Sequence, residues 1–154
     1  MSENNKKILI VYYSRSGVSE IIAKDLQNKL GCDMDKIVYA DKDRVSFFRA
    51  AREATKKYTV KIKGAEHNPG DYEKIIFVTP IWAGAISTPI RSYMAEHKEN
   101  IKSYTLITTS GSGDETPKII KDAVDASRKE SAVSKAYSSA QIKKGEYDLG
   151  KFIE

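Results

Sequence analysis

The chain has 154 residues, enough for one domain spanning 1–154. With 40% hydrophobic and 31% charged residues it should fold around a core, which excludes wholesale disorder. A single cysteine excludes an intramolecular disulfide, the two histidines are too far apart in sequence for a metal-ligand motif, and the net charge of +5 lies entirely within 41–63. No apolar run approaches the about 20 residues of a membrane span, so we expect a cytoplasmic protein without a membrane partner.

Hydrophobic patterns predict strands alternating with helices. Residues 7–13 form an apolar run typical of a strand buried on both faces. From 18 to 30 an apolar residue recurs every four positions, as on one helix face, and Gly31 follows as a cap. The later predicted elements are a strand at 36–40, a helix at 45–58, a strand at 75–79 ended by Pro80, a helix from Pro89 capped by Ser87 or Thr88, a strand at 103–109, a helix from Pro117 with Ile120, Val124 and Ser127 at helical spacing, a strand at 132–140 and a short helix at 147–153.

This alternation predicts an α/β fold with a doubly wound parallel sheet and helices on both faces. In such sheets ligands bind beyond the carboxyl ends of the strands. The loops after the first, third and fourth predicted strands are therefore the segments in which to look for a binding site.

Hydroxyl side chains crowd the loop after the first strand. The loop comprises Ser14, Arg15, Ser16, Gly17, Val18 and Ser19. Gly17 permits a tight turn that brings backbone amides close to a ligand, and the N-terminus of the following helix adds partial positive charge. Hydroxyls and amides in this arrangement predict a phosphate pocket, whereas a simple helix cap would need only one of the hydroxyls.

The loop after the third strand contains the only tryptophan of the chain. It comprises Thr79, Pro80, Ile81, Trp82, Ala83 and Gly84. A loop tryptophan beside small residues can stack on a flat aromatic ligand. It can also fill the core beneath the loop, and from this loop alone core packing is the favoured interpretation.

The loop after the fourth strand is rich in glycine and serine. It begins with Ser110, Gly111, Ser112 and Gly113, whose backbone amides we expect to be exposed. The string matches only part of a dinucleotide fingerprint, follows the wrong strand for it and lacks its last glycine. The loop therefore does not predict a dinucleotide site by itself.

Together the three loops resemble those of the flavodoxin family, in its short-chain form. Residues 14–19 are similar to the flavin-phosphate loop of that family. Residues 79–84, with Pro89 and Arg91 after them, resemble the flavin-flanking loop of a flavodoxin-like subgroup, and 109–113 resemble its third flavin loop. The resemblance covers nearly the whole chain. It implies bound FMN, electron transfer and a five-stranded parallel sheet in the order 2-1-3-4-5.

The resemblance also implies a role for each loop. The serine hydroxyls of the first loop and the amides of 15–19 would bind the FMN phosphate. Trp82 would pack beside the isoalloxazine ring, with backbone groups of Ala83 and Gly84 near its redox-active nitrogen. The amides of 110–113 would meet the pyrimidine edge of the ring.

Three functional classes remain open at this stage. The first is an electron carrier that docks to redox partners, which we favour slightly. The second is an NAD(P)H-dependent FMN or quinone reductase, and the third is a non-redox flavin-binding regulatory module. No acid–base pair or nucleophile stands out in the sequence, and flavin electron transfer needs neither, so we assign no catalytic side chain.

The basic stretch 41–63 carries eight lysines and arginines against three acidic residues. On the helix predicted over 45–58, Arg49, Arg52 and Lys56 fall at i, i+3 and i+7, so they should form one stripe. The stripe is either ordinary solvated surface or a site that steers an acidic redox partner or the phosphates of NAD(P)H. We expect no nucleic acid partner, because no aromatic residues are interleaved as a platform for bases.

Overall fold

Strands and helices alternate over 8–36 and over 85–144, as the sequence predicts, whereas the described elements between these ranges are strands and one 3-10 turn. The computed structural model describes residues 7–41, 46, 49, 52–53, 56, 59–82, 84–111, 117–130, 133–147 and 149. The elements in chain order are β1 (Ile8–Tyr12), α1 (Val18–Leu30), β2 (Asp33–Lys36), β3 (Val38–Tyr39), β4 (Ile62–Lys63), a 3-10 turn (Pro69–Asp71), β5 (Lys74–Trp82), β6 (Ala85–Ile86), α2 (Thr88–His97), β7 (Tyr104–Ser110), α3 (Pro117–Ser127), β8 (Val133–Ser138) and α4 (Ser139–Lys144). Among these described helices, none has the length and apolar character needed to cross a membrane.

Five strands lie parallel in the order β2-β1-β5-β7-β8. Counted as parallel strands this is the order 2-1-3-4-5, so the predicted fold class is confirmed. The three central strands are buried along most of their length. Their carboxyl ends are neighbours, because Tyr12 pairs with Val78 and Pro80 pairs with Thr109. The loops after β1, β5 and β7 therefore meet at one edge of the sheet.

Apolar side chains pack on both faces of the sheet. On one face, Ile22 and Leu26 of α1 lie against Ile10 of β1, all without solvent exposure. On the other face, the ring of Phe77 packs edge-on against Tyr93 of α2, with 5.7 Å between centroids. Each fully buried side chain of this size contributes about 1.5–3 kcal/mol. These contacts make the sheet a rigid platform for the loops at its edge.

Both helix boundaries that the sequence marks most clearly are confirmed. Gly31 ends α1 with a φ of 64°, in the left-handed region that favours glycine, and its N–H donates to the Gln27 carbonyl at 2.7 Å. Ser87 is the N-cap residue of α2, and Pro89 stands in its first turn, where a missing N–H costs nothing.

The second parallel strand lies earlier than the predicted 36–40. It is Asp33–Lys36, while Val38–Tyr39 pairs antiparallel with Ile62–Lys63 outside the main sheet. The apolar pattern misses β2 because half of its residues are acidic. Its Asp35 is nevertheless buried, since His67 from a distant loop supplies a partner for the carboxylate.

Pro80 does not end the third parallel strand, contrary to the prediction. β5 continues to Trp82 and folds back antiparallel as β6, with Trp82 opposite Ala85. Proline removes one hydrogen-bond donor from the ladder, and near the end of a strand this loss is small. The loop expected at 79–84 is therefore a hairpin built on the end of β5.

Three other predictions concern segments that are described in part. Of the predicted helix at 45–58, only five residues are described, and four of them, Arg49, Arg52, Glu53 and Lys56, are helical. The predicted strand at 132–140 ends at Ser138, whose capping box with Gln141 begins α4. Most of the helix predicted at 147–153 lies outside the described residues, and Tyr147 and Leu149 within it are not helical.

A histidine and an aspartate fasten the loop before β5 to the edge strand β2. Asp35 is fully buried, and its carboxylate accepts the His67 backbone N–H at 3.0 Å and lies 2.6 Å from His67 Nδ1. The hydrogen bond to Asp35 raises the pKa of His67, and the charges of Asp35 and Asp33 add to the effect. The sequence suggested no role for this histidine, because its partner lies 32 positions away.

We expect this pair to make stability depend on pH. A histidine whose pKa is raised by folding stabilises the protein fully below its unfolded pKa of about 6.5, and the contribution is lost as pH rises through the folded pKa. Replacing His67→Gln should lower the free energy of unfolding by about 1–3 kcal/mol at pH 6 and by less at pH 9. Urea unfolding at both pH values tests this, with His97→Gln, which replaces the other histidine, as control. Equal losses at the two pH values would contradict it.

Candidate functional site

The loop between β1 and α1 ends in a helix N-terminus without a side-chain cap among the described residues. Gly17 has a φ of 98°, and its N–H donates to Ser14 Oγ at 3.0 Å. The first helical hydrogen bond runs from the Ile21 N–H to the Gly17 carbonyl, so the amides of the first turn have no acceptor within the helix. No described atom lies within 4 Å of where a Cβ on Gly17 would stand. An anion can therefore approach these amides.

The hydroxyls of this loop do not all point the same way in the structure. Ser16 is exposed and Ser14 is half-buried at the mouth of the loop. Ser19 is buried instead, and its Oγ lies 2.9 Å from Thr109 Oγ1 at the end of β7. Ser19 thus ties the first loop to the third, and its predicted contact with phosphate stays a prediction. Val18 is buried in the core, and Arg15 is half-buried.

Glu20 places a negative charge in the first turn of α1, close to the site predicted for a phosphate. Tyr12 donates its hydroxyl hydrogen to Glu20 at 2.8 Å, and Lys36 lies 3.0 Å from the carboxylate. The hydrogen bond from Lys36, followed by that from Tyr12, lowers the pKa of Glu20. Because Lys36 and Lys24 neutralise this charge, the first turn of α1 can still attract an anion.

The hairpin after β5 holds the second group of predicted site residues. Thr79 is fully buried, and its hydroxyl lies 2.7 Å from Ser87 Oγ across the base of the hairpin. Pro80 and Ile81 are partly exposed. Gly84 lies at the turn with a φ of 76°, where glycine is favoured, and Ala83 lies outside the described residues.

Trp82 is only 8% exposed and belongs to the core. Its ring packs edge-on against Tyr13, with 5.4 Å between centroids, and Tyr13 packs in the same way on Tyr39 at 5.9 Å. This burial agrees with the interpretation of Trp82 as core packing beneath the loop. The predicted contact between Trp82 and a flavin remains a prediction. It would have to be made by the small part of the side chain that is exposed.

The third loop follows β7 directly. Ser110 is half-buried, and its carbonyl accepts a hydrogen bond from Ser139 Oγ at 3.3 Å. Gly111 is exposed, with no described atom within 4 Å of its Cβ position. Ser112 and Gly113 lie outside the described residues. The structure thus brings the described parts of all three loops to the same edge of the sheet, with open space at Gly17 and Gly111.

An acidic residue on the inner face of α3 is part of this region and was missed. The sequence pattern suggested Ile120, Val124 and Ser127 for this face. Ser127 is buried as predicted, but the other buried residues are Ile119, Asp122 and Ala123. The face is rotated because the Asp122 carboxylate accepts the N–H of Ile86 in β6 at 3.0 Å. An aspartate flanked by apolar residues at helical spacing is the only sequence signal that could have indicated it.

In the basic stretch 41–63, called the basic segment below, Arg49 lies beside the same edge of the sheet, because it packs on Tyr39, whose ring contacts Tyr13 just after β1. Arg49 stands 4.9 Å above the ring of Tyr39 and forms ion pairs with Glu53 at 3.2 Å and with Asp41 at 3.4 Å. Arg49 is therefore held by these partners, whereas the predicted stripe has it as a solvated surface charge beside Arg52 and Lys56. Arg52 and Lys56 are exposed, and a cavity of about 260 Å³ lies nearby, lined by Asp41, Arg49, Val60 and Lys61.

Comparisons with known proteins agree with this architecture. The family model described as Flavodoxin matches residues 7–146. A flavoprotein from Lactobacillus acidophilus NCFM, solved in complex with FMN, superposes with a TM-score of 0.73 at 17% identity, covering 90% of this chain and 97% of the other. An NMR structure of the apo-form of the flavoprotein from that organism gives 0.67 at 19% identity and 96% and 99% coverage.

A more distant structural match is a flavodoxin from the domain Archaea. It gives a TM-score of 0.51 at 15% identity, covering 95% of this chain and 98% of the other. No curated protein matches the sequence. At these identities the structural matches show the fold alone.

Proposed function

Because the chain belongs to the flavodoxin family, we propose that it binds FMN non-covalently and exchanges electrons through it. The resemblance of the chain to this family is thereby confirmed. The observation that carries the proposal is the N-terminus of α1 behind Gly17. Among the described residues, no side chain caps its first-turn amides and no atom fills the space at the Cβ position of Gly17. Such an N-terminus suits a dianionic phosphate monoester, which is the terminal group of FMN.

The chain binds and orients the cofactor, while bound FMN supplies the redox chemistry. Ser14 and Ser16 offer hydroxyls beside the first-turn amides of α1 for the phosphate. The hairpin and the described start of the third loop, Ser110 and Gly111, follow the neighbouring strands β5 and β7, so they would flank the space where a ring would lie. The buried ring of Trp82 forms the apolar floor of the hairpin and excludes water from that side.

We favour an electron carrier over an NAD(P)H-dependent reductase. Among the described residues of the three loops, no pair of side chains has the acid–base arrangement that substrate chemistry requires, and electron exchange needs none. A reductase of FMN or quinones remains the second candidate, because the basic segment beside the site could receive the phosphates of NAD(P)H. A non-redox flavin-binding module is the third.

The visible spectrum of the purified protein and the chromatography of its released cofactor test the proposal. We expect flavin absorbance and co-elution with FMN. FAD, or a colourless protein that rejects added FMN, would overturn the assignment. NADPH oxidation by the FMN-loaded protein, with a quinone as acceptor, then separates the two redox functions. Turnover with the quinone supports the reductase, and its absence supports the carrier.

We further propose that the basic segment steers an acidic redox partner, or the phosphates of NAD(P)H, toward the site. Its net charge of +5 accounts for the whole imbalance of the chain, so the surface has a one-sided field. Arg49 of this segment is also held next to the site by a series of ring contacts. Arg49 packs on Tyr39, the Tyr39 ring contacts Tyr13, and the Tyr13 ring contacts Trp82. Among the four described helical residues of this segment, Arg52 and Lys56 are the exposed ones.

We therefore expect a double charge reversal, Arg52→Glu with Lys56→Glu, to slow electron transfer to ferricyanide, a multiply charged anion. The effect should be about tenfold at low ionic strength and vanish at high salt, because salt screens surface charges. Arg49 is left intact because its ion pairs hold Glu53 and Asp41. The matched control reverses Lys98 and Lys102, two exposed lysines near the opposite edge of the sheet. Identical salt profiles for all three proteins would leave the stripe as solvated surface only.

A further inference from the structure

A buried carboxylate joins three elements around the second loop. Asp122 of α3 is 2% exposed, and its Oδ2 accepts the Ile86 N–H at 3.0 Å and a hydrogen bond from Arg91 Nη2 at 2.5 Å. Arg91 belongs to α2 and is 4% exposed. One carboxylate thus fastens the β6 strand of the hairpin to both helices that follow it.

The hairpin depends on this bond for its outer edge. β6 is two residues long and pairs with β5 alone, through Ile81 opposite Ile86 and Trp82 opposite Ala85. A two-stranded hairpin is at best marginally stable by itself. At its base, Thr79 accepts the Ser87 N–H at 3.1 Å. Beyond that base, the Ile86 amide faces α3 and is satisfied there by Asp122.

The ion pair is well suited to fixing a position. Within the described part of the chain, the Nε and Nη1 atoms of Arg91 have no hydrogen-bond partner. Its guanidinium therefore depends on Asp122 for charge compensation. Removing one member of such a buried pair is strongly destabilising because the other charge stays buried and unpaired, whereas replacing both by apolar residues is often neutral. The pair therefore holds α2, α3 and the hairpin in one relative position.

The locked hairpin is the predicted flavin-flanking loop, and Lys118 of α3 approaches it as well. The Lys118 Nζ lies 3.5 Å from the Cβ position of Gly84 at the turn. Backbone groups at a cofactor influence it only when their position is fixed to within about 0.5 Å. We propose that Asp122 and Arg91 are positioning residues that hold the hairpin for FMN. This inference rests on the proposed function of the same site.

The test removes the buried pair without leaving an unpaired charge. The variant Arg91→Met/Asp122→Leu should fold, yet the Ile86 amide loses its acceptor. We expect its FMN dissociation constant to rise at least fivefold and the midpoint potential of bound FMN to shift. The matched control Lys121→Met/Asp125→Leu removes the exposed ion pair of the same helix, whose members are 2.9 Å apart. It should change neither quantity.

A second measurement does not need the cofactor. Hydrogen exchange of the apoprotein should show the protection of the Ile86 amide falling at least tenfold in the buried-pair variant and unchanged in the control. Unchanged Ile86 protection, or unchanged FMN affinity and potential in a folded variant, would overturn the positioning role. If the wild-type protein fails to bind FMN while Ile86 protection still falls, the proposed function fails and the anchoring of the hairpin stands.

Discussion

Replacing Trp82→Ala is expected to lower the free energy of unfolding by about 3–5 kcal/mol, one of the largest losses from a single change in this chain. The indole is 8% exposed and packs in the core against the ring of Tyr13. Alanine would leave a cavity beneath the hairpin that neighbouring side chains can fill only in part. Urea unfolding of the apoprotein measures the loss. The variant Trp82→Phe, which retains an aromatic ring, should lose less than half as much.

The same residue reports on the site. If Trp82 contacts the flavin, adding FMN to the apoprotein should strongly quench tryptophan fluorescence, and Trp82→Phe should weaken binding modestly. An aromatic contact contributes about 0.5–1.5 kcal/mol beyond the area it buries. Unquenched emission from a protein that binds FMN would instead show that Trp82 serves the core alone.

Replacing Gly17→Val should raise the FMN dissociation constant by at least about tenfold, which corresponds to about 1.4 kcal/mol. Gly17 has a φ of 98°, so any side chain there is strained. The branched side chain would also enter the open space above the first-turn amides of α1. Titration of the apoprotein with FMN measures the change.

A matched glycine separates the loss of the phosphate site from backbone strain. Gly145 ends α4 with a φ of 74° and also has open space at its Cβ position. Gly145→Val should therefore lower stability to a similar extent without changing FMN affinity. If both variants bind FMN as tightly as the wild type, the phosphate does not lie at Gly17.

The parallel α/β architecture and the positions of the three loops could be predicted from the sequence, whereas the strand order came from its resemblance to the flavodoxin family. Local apolar runs indicate the buried parallel strands, such as Ile8–Tyr12 and the middle of Lys74–Trp82. Apolar residues at helical spacing indicate the helix Val18–Leu30. Glycine and hydroxyl residues mark the loops between them. Once strands alternate with helices, right-handed crossovers bring the carboxyl ends of the central strands together. These signals are local, so a single sequence contains them.

Features that join distant residues were decided by the tertiary structure alone. Asp35 and His67 are 32 positions apart, and Arg91 and Asp122 are 31 positions apart. A charged side chain by itself predicts an exposed position, because burying an unpaired charge costs several kcal/mol. Only a partner brought close by folding offsets that cost. For this reason the acidic strand β2, the inner face of α3 and the hairpin that Asp122 holds became visible only in the fold.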